Sequence, residues 1–309
     1  KNAIEDTIDT FKNNKLVDWS NMLSLIHLTN MESTLKTQYL NAGNITARIN
    51  LHAEYSVNKQ GWFNWIYEQS NIQTGQRILE IGCGDGRLWV DNKNNVRELS
   101  GLQVFLSDIS DGMVNDARRN IEAEYANENG ADSTAHKTGQ SVSFKFNTFD
   151  CADIPYRNNY FDIVLANHVL FYCDNIESVL KEVKRVLKPG GVFICATYGA
   201  SHMKEISDLV TEFDKRIVLA ADNLYDKFGL DNGEDILIKH FNNVDVRKYN
   251  DHLLVDKAEP LIEYILSCHG NQNQYLLDRY SDFKAFIRNK LARKPFKITK
   301  DAGLFICKD

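Results

Sequence analysis

Residues 80–86 read Glu-Ile-Gly-Cys-Gly-Asp-Gly, three alternating glycines at the end of the apolar run Arg77-Ile78-Leu79-Glu80-Ile81. Alternating glycines let a backbone turn tightly and approach a ligand with no Cβ in the way. The spacing is Gly-x-Gly-x-Gly, unlike the Gly-x-Gly-x-x-Gly of dinucleotide sites, and no Lys-Ser or Lys-Thr pair follows to grip a phosphate. Arg87 is the one base at its mouth, whereas Glu80 precedes the turn and Asp85 interrupts it. Carboxylates around a glycine turn suit a cationic ligand that carries no phosphates. Two more acids close later runs: Asp108 follows Gln103-Val104-Phe105-Leu106-Ser107, and Asp150 follows the alternating Val142, Phe144 and Phe146. His168, one residue past Asn167 at the end of a fourth run, is the leading candidate for a general base, ahead of Tyr172, Tyr198 and His202.

A regular alternation of strands and helices must position these groups. After the glycine turn a helix runs through Leu88, Trp89 and Val90. Ser110 caps a second helix running towards Asn127, with Met113, Val114, Ala117 and Ile121 along one side. Asp174 and Glu177 have capping-box spacing, and Ile176, Val179, Leu180, Val183, Val186 and Leu187 form a helical stripe. Lys188-Pro189-Gly190-Gly191 stops that helix, and Val192–Ala196 reads as a fifth strand. Near-continuous apolar strands separated by helices predict an α/β fold, a mostly parallel sheet with helices on both faces.

After Thr197 the alternation lapses into an amphipathic helical insertion at about 200–240. Val244–Val255 then supplies a strand, Asp256 and Glu259 cap a helix, another helix covers about 274–292, and Gly303–Cys307 forms a last strand, seven in all. Residues 1–70 read as helix, with Leu16, Trp19, Leu23 and Ile26, and later Trp62, Trp65 and Ile66, at helical spacing. The predicted organisation is a helical N-terminal extension over 1–70, serving as a lid, and a domain over 71–309 that carries the insertion. Trp62 and Trp65 stand where they either wall a substrate pocket or pack a helix.

The chain has 309 residues, with 42 acidic and 36 basic side chains and a formal charge of −6. That length is enough to bury a sizeable core. With 43% apolar and 25% charged residues, neither disorder nor a fibrous repeat fits. No apolar run approaches the roughly 18–20 residues of a membrane span, and the polar start KNAIEDTIDTFKNN lacks the apolar centre of a secretory signal. Six cysteines fall singly, with no Cys-x-x-Cys pair and no His spacing suited to zinc, which points to reduced thiols in the cytosol and no metal.

Taken in order, these segments resemble the class I S-adenosylmethionine-dependent methyltransferases. Residues 80–86 look like that family's first motif, and Asp108, 28 residues after Glu80, stands where the family has a ribose-binding acid. A carboxylate there accepts hydrogen bonds from both ribose hydroxyls. Asp150-Cys151-Ala152-Asp153-Ile154-Pro155 is similar to the segment after strand three, implying that Asp150 meets the adenine amino group and Cys151 offers its backbone N–H. Phe161-Asp162-Ile163-Val164 with Asn167-His168-Val169-Leu170, and Leu187–Gly191, are similar to the fourth-strand motif and the turn before strand five. The resemblance implies a Rossmann-like sheet and covers about 74–198. It places the methionine end of S-adenosylmethionine over Gly82 and Gly84, near Glu80, Cys83 and Asn167, with Ile109 and Met113 flanking the adenine and Tyr55 closing over the cofactor.

The function implied is in-line methyl transfer to a small-molecule acceptor, with His168 assisting an acceptor that still holds its proton. The rivals are a nucleic-acid or carrier-protein-linked acceptor, a dehydrogenase, and a non-catalytic relative that binds the cofactor alone. Asn167-His168-Val169-Leu170 has no proline, unlike the Pro-Pro segment frequent in relatives acting on base nitrogens, and a mildly acidic chain argues against a nucleic-acid partner. In favour of that rival, Arg279–Asp309 holds nine Lys or Arg against three Asp. The glycine spacing disfavours the dehydrogenase.

Overall fold

Ile78, Leu79 and Ile81 are all fully buried, as a strand covered by helices on both faces requires. They form part of β1 (Arg77–Ile81) in a computed structural model that describes residues 42–126, 142–220 and 222–309. The expected helical spacing at Leu16, Trp19, Leu23 and Ile26, and the expected helix end at Asn127, lie outside the described residues. Helix α1 (Ala42–Tyr55) and helix α2 (Trp62–Ser70) precede β1. After it come α3 (Arg87–Asp91), α4 (Lys93–Arg97), β2 (Gln103–Asp108), α5 (Asp111–Ala126), β3 (Ser143–Thr148) and β4 (Phe161–Asn167). A 3-10 turn (Leu170–Tyr172) leads to α6 (Ile176–Val186) and β5 (Leu187–Tyr198). The rest is α7 (Lys204–Phe213), α8 (Leu224–Lys227), α9 (Gly233–Leu237), β6 (Asn243–Val255), α10 (Ala258–Leu266), α11 (Gln272–Leu276), α12 (Tyr280–Leu291) and β7 (Phe296–Lys308).

The seven strands make one sheet in the order β3-β2-β1-β4-β5-β7-β6. Strands β1 to β5 pair in parallel, and β7 runs antiparallel between β5 and β6. The strand order reverses between β1 and β4, and ligands in such sheets bind beyond the carboxyl ends at that point. One core lies under α6, with Phe161, Val164, Phe193 and Phe305 meeting Val179, Leu180 and Val183. The other lies under α2, α3 and α5, with Ile163, Leu165 and Ile194 meeting Ile66, Trp89 and Ile121. Residues 188–191 bulge between the Phe161–Leu187 and Ile163–Val192 pairs. Asp162 holds that bulge to β1 by accepting from the Arg77 N–H at 2.8 Å and from Lys188 Nζ at 2.6 Å.

The described residues fall into two compact units. The larger, 52–205, 222–255 and 296–309, contains the sheet. The smaller takes the described parts of 1–51 and 206–221 together with 256–295. Within it Leu261, Ile262 and Ile265 of α10 and Phe283 and Ile287 of α12 are buried, and Phe213 packs edge-on to Phe283 at 5.0 Å.

Three local expectations are corrected. Helix α6 is capped not by Asp174 but by Asn175, whose Oδ1 accepts from the Ser178 N–H at 3.1 Å; Glu177 instead turns outward to Lys181 and His240. Helix α10 starts at Ala258 with no side-chain cap, so Asp256 lies two residues before its first turn and Glu259 is bound by Lys284 and Arg288. The last strand is much longer than Gly303–Cys307, because β6 and β7 pair along their whole length from Asn243–Lys308 to Val255–Phe296. Asn175→Ala is expected to lower the unfolding free energy by about 1 kcal/mol, whereas Asp174→Ala changes it by less than about 0.5 kcal/mol. Urea denaturation of the two variants checks this.

Candidate active site

The glycine turn leaves β1 at the reversal point. Gly82 has φ of +67°, and a Cβ there would stand 2.3 Å from Val169 Cγ2, so only glycine lets the segment after β4 pack so closely. Gly84 has φ of +54°, and a Cβ built on it meets nothing within 4 Å, so the space above the turn is open. The turn is fastened to the end of β2 by the Cys83 N–H, which donates to the Ser107 carbonyl at 2.8 Å. Cys83 itself is buried, and burial foremost pushes its thiol well up, so it packs as an apolar group.

Asp108 ends β2 and faces this turn. Its Oδ2 accepts from the Gly84 N–H at 3.1 Å and its Oδ1 from the Ser110 N–H at 3.0 Å. Two backbone donors fix the carboxylate's orientation and leave lone pairs on both oxygens for a ligand diol. Burial raises the Asp108 pKa, against the lowering effect of those two bonds. Ile109 beside it is 56% exposed, an uncovered apolar face next to an oriented acid. Met113 is buried on α5, its N–H directed at Ser110 Oγ from 3.4 Å. The exit of β3 is joined to this corner by the Phe149 N–H, which donates to the Asp108 carbonyl at 3.2 Å. Asp150 follows, exposed, with Oδ1 accepting from the Ala152 N–H at 2.8 Å, and Cys151 is half-buried behind it.

Glu80 behaves differently from a lining acid. It is 2% exposed, and both oxygens are engaged: Oε2 accepts from Trp89 Nε1 at 2.6 Å and Oε1 from Asn167 Nδ2 at 3.1 Å. Burial pushes its pKa up to about 7, with Asp108 and Asp85 adding to the rise and the two hydrogen bonds opposing it. Glu80 and Asn167 therefore brace each other.

His168 follows β4 with φ of +55°, a left-handed conformation rare for a side-chain-bearing residue. Its N–H donates to the Ala196 carbonyl at 3.0 Å. Its half-buried ring stacks on Trp62 at 5.2 Å and lies 6.0 Å from the Tyr198 ring. Burial lowers the His168 pKa to about 4, so its imidazole is neutral at pH 7 and poised to accept a hydrogen bond. His202, 5.3 Å from the Tyr198 ring, and His52, stacked on His202 at 6.3 Å, are also pushed down by burial, His52 to about 3. Trp65 is core against Tyr249 at 5.2 Å, while half-buried Trp62 is the tryptophan that reaches His168.

The structure thus gathers the glycine turn, Asp108, Ile109 and Asp150 on one side and His168 on the other side of the reversal point. Tyr55 is buried near the end of α1, and the adjoining Ser56 bridges to Leu253, which anchors it at β6, four strands from β1. Sequence reasoning missed Trp89 and Val169, and it missed the buried pair of Asp251 with Lys300, whose Nζ lies 2.7 Å from Oδ2. The periodicity of Trp89 reads as packing, and Lys300 lay outside the strand expected to start at Gly303. Among the described residues no group of three or more His, Cys, Asp or Glu side chains is placed to hold a metal ion. Five of the nine basic residues in Arg279–Asp309 pair with carboxylates: Arg279 with Asp214, Lys284 and Arg288 with Glu259, Lys290 with Glu212, and Lys300 with Asp251.

Residues 79–195 match the family model described as a methyltransferase domain. Sterol 4-C-methyltransferase strm-1 of Caenorhabditis elegans is 32% identical over 129 residues, 42% of this chain and 33% of that protein. Demethylmenaquinone methyltransferase of Symbiobacterium thermophilum is 31% identical over 137 residues, 43% of this chain and 48% of that protein. Phosphoethanolamine N-methyltransferase 2 of Haemonchus contortus, solved with S-adenosyl-L-methionine, is 18% identical, covers 91% of this chain and 60% of that one, and superposes with a TM-score of 0.53, a likeness of fold. The chain spans about half or less of the length of these two curated relatives. Fold, glycine turn and family match together mark residues 79–195 as a methyltransferase domain on a Rossmann-like sheet.

The buried Glu80 makes stability depend on pH. Its folded pKa of about 7 lies above its ordinary 4.5, so the unfolded chain loses this proton first and stability falls as pH rises between those values, then levels off. The depressed histidines act oppositely, so the quantity to measure is wild type minus Glu80→Gln. That difference is expected to fall by about 2–3 kcal/mol between pH 5 and 8, read from urea denaturation at each pH.

Proposed function

We propose that this chain binds S-adenosylmethionine at the glycine turn and transfers its methyl group to a small-molecule acceptor held near His168. The observation that carries the reading is Asp108, a carboxylate fixed by the Gly84 and Ser110 N–H groups beside an open turn. The site suits the cofactor: the space over Gly84 is clear and Ile109 offers an uncovered apolar face. Asp108 takes the ribose hydroxyls, Ile109 and Met113 border the adenine, Asp150 and the Cys151 N–H meet its edge, and Gly82, Cys83 and Gly84 pass beneath the methionine portion. Glu80 acts through Asn167 and through its negative charge.

S-adenosylmethionine supplies an activated methyl group on a sulfonium, so the protein's task is alignment and exclusion of water. Holding two reactants in line removes up to roughly 7–11 kcal/mol of barrier. His168, neutral at pH 7, accepts a hydrogen bond from the acceptor and orients its lone pair. With a pKa of about 4 it is a weak base, so it serves best where the proton is already acidic or is shed after transfer. Curated relatives named for sterols and quinones support a small-molecule acceptor, and the paired cations of Arg279–Asp309 leave less free positive charge for a nucleic acid. All six cysteines are free thiols, which supports a cytosolic setting; among the described residues no helix is long and apolar enough to cross a membrane.

Asp108→Ala is expected to weaken S-adenosylhomocysteine binding by about 2–4 kcal/mol, roughly 30- to 1,000-fold, through loss of two charge-assisted bonds discounted for overlap. His168→Ala should leave that affinity within about threefold. Titration calorimetry on the folded chain measures both, and an unchanged Kd for Asp108→Ala removes the ribose assignment.

A further inference from the structure

Cys151 and Cys173 are 22 residues apart in sequence, yet their Sγ atoms lie 3.6 Å from each other. Both thiols are half-buried, and so within reach of a small reagent. A second pair, Cys195 on β5 and Cys307 on β7, is fully buried on neighbouring strands. The molecule therefore holds two neighbouring cysteine pairs, of which one is accessible.

We propose that Cys151 and Cys173 form a thiol–disulfide exchange site for low-molecular-weight disulfides such as oxidised glutathione, and that closing it loosens the cofactor site. Cys173 is the attacking sulfur, because the hydrogen bond from the Cys151 thiol lowers its pKa, while Cys151 is raised by that bond and by burial. The Cys173 thiolate attacks one sulfur of oxidised glutathione, forming a mixed disulfide and expelling one glutathione thiolate. Cys151 then gives up its proton and attacks Cys173 Sγ, expelling the second glutathione. Two protein thiols and one glutathione disulfide become one protein disulfide and two glutathione thiols, and both protons end on the released glutathiones.

Both ends of the link lead to the turn that holds the ligand. Cys151 follows Asp150, and Cys173 Sγ lies 3.7 Å from the carbonyl of Val169, the residue packed on Gly82. A disulfide draws the sulfurs from 3.6 Å to about 2 Å, a displacement that the Asp150 segment and the Val169 turn must absorb. This consequence rests on the cofactor placement proposed above; formation of the link does not.

The test is to incubate the full chain with oxidised glutathione, digest with trypsin without reduction, and map the peptides by mass spectrometry. Cleavage after Lys145, Arg157 and Lys181 puts the two cysteines on separate peptides, 146–157 and 158–181. These peptides are expected to be joined, two hydrogens lighter than their sum, and to separate with dithiothreitol, while Cys195 and Cys307 stay free. The variant Cys173→Ser gives no joined species. Peptides that stay separate, or Cys173 carrying glutathione without closing onto Cys151, overturn the site. The Kd for S-adenosylhomocysteine should rise at least about tenfold on closure and recover on reduction; a joined protein with unchanged Kd overturns the coupling. A reduced chain that binds no S-adenosylhomocysteine refutes the cofactor reading and leaves the joined peptides as the measure of the exchange site.

Discussion

A single buried carboxylate ties together the three elements that meet where strand order reverses. Glu80 leaves β1, takes the indole N–H of Trp89 on α3 and the amide of Asn167 at the end of β4, and through its own carbonyl receives Ser107 Oγ from β2 at 3.1 Å. Burying an acid costs several kcal/mol unless its oxygens are satisfied; here both are. The glycine turn and the His168 turn are thereby attached to one rigid point and hold their spacing without help from loops.

The same arrangement concentrates negative charge without neutralising it. Glu80 and Asp108 are bound by N–H donors of indole, amide and backbone, none of which carries a positive charge. Both acids are pushed upward by burial, and Asp85 adds repulsion to Glu80. Such a site is stabilised by a cation that brings its own charge, and a phosphate-bearing ligand would worsen the repulsion. The contrast with dinucleotide sites, first visible as glycine spacing, thus has an electrostatic counterpart.

The glycine turn, Asp108 and His168 were legible in the sequence because strands buried on both faces leave long apolar runs, and the polar residues that end such runs must sit at the sheet edge. Seven strands followed from the same signal. The length of β7 was not legible: Lys297, Lys300 and Asp301 interrupt the apolar pattern, and only the register opposite β6 shows that Lys300 meets Asp251 inside the protein. The α6 cap was misplaced by one residue because Asp174 and Asn175 are both good caps, and the choice falls to where α6 begins, at Ile176. The role of Glu80 was misread for a different reason. An acid before a glycine turn looks ligand-facing in one dimension, whereas alternation along β1 turns it inward, towards Trp89.

On the His168 side the chemistry is kept free of charge. Burial holds His52, His168 and His202 neutral, and the one cation that bears on all three, Lys300, is bound by Asp251. The difference between the two sides has a physical logic on the reading proposed above. Imidazolium groups here would repel a sulfonium across the reversal point, and a depressed pKa removes that repulsion throughout the range in which Glu80 remains largely ionised. As pH falls, Glu80 first loses its attraction for the cation near 7, and the imidazoles gain repulsion only near 4 and below. Both changes disfavour a bound cation and neither offsets the other, so the site is built to hold a positive ligand at neutral and alkaline pH.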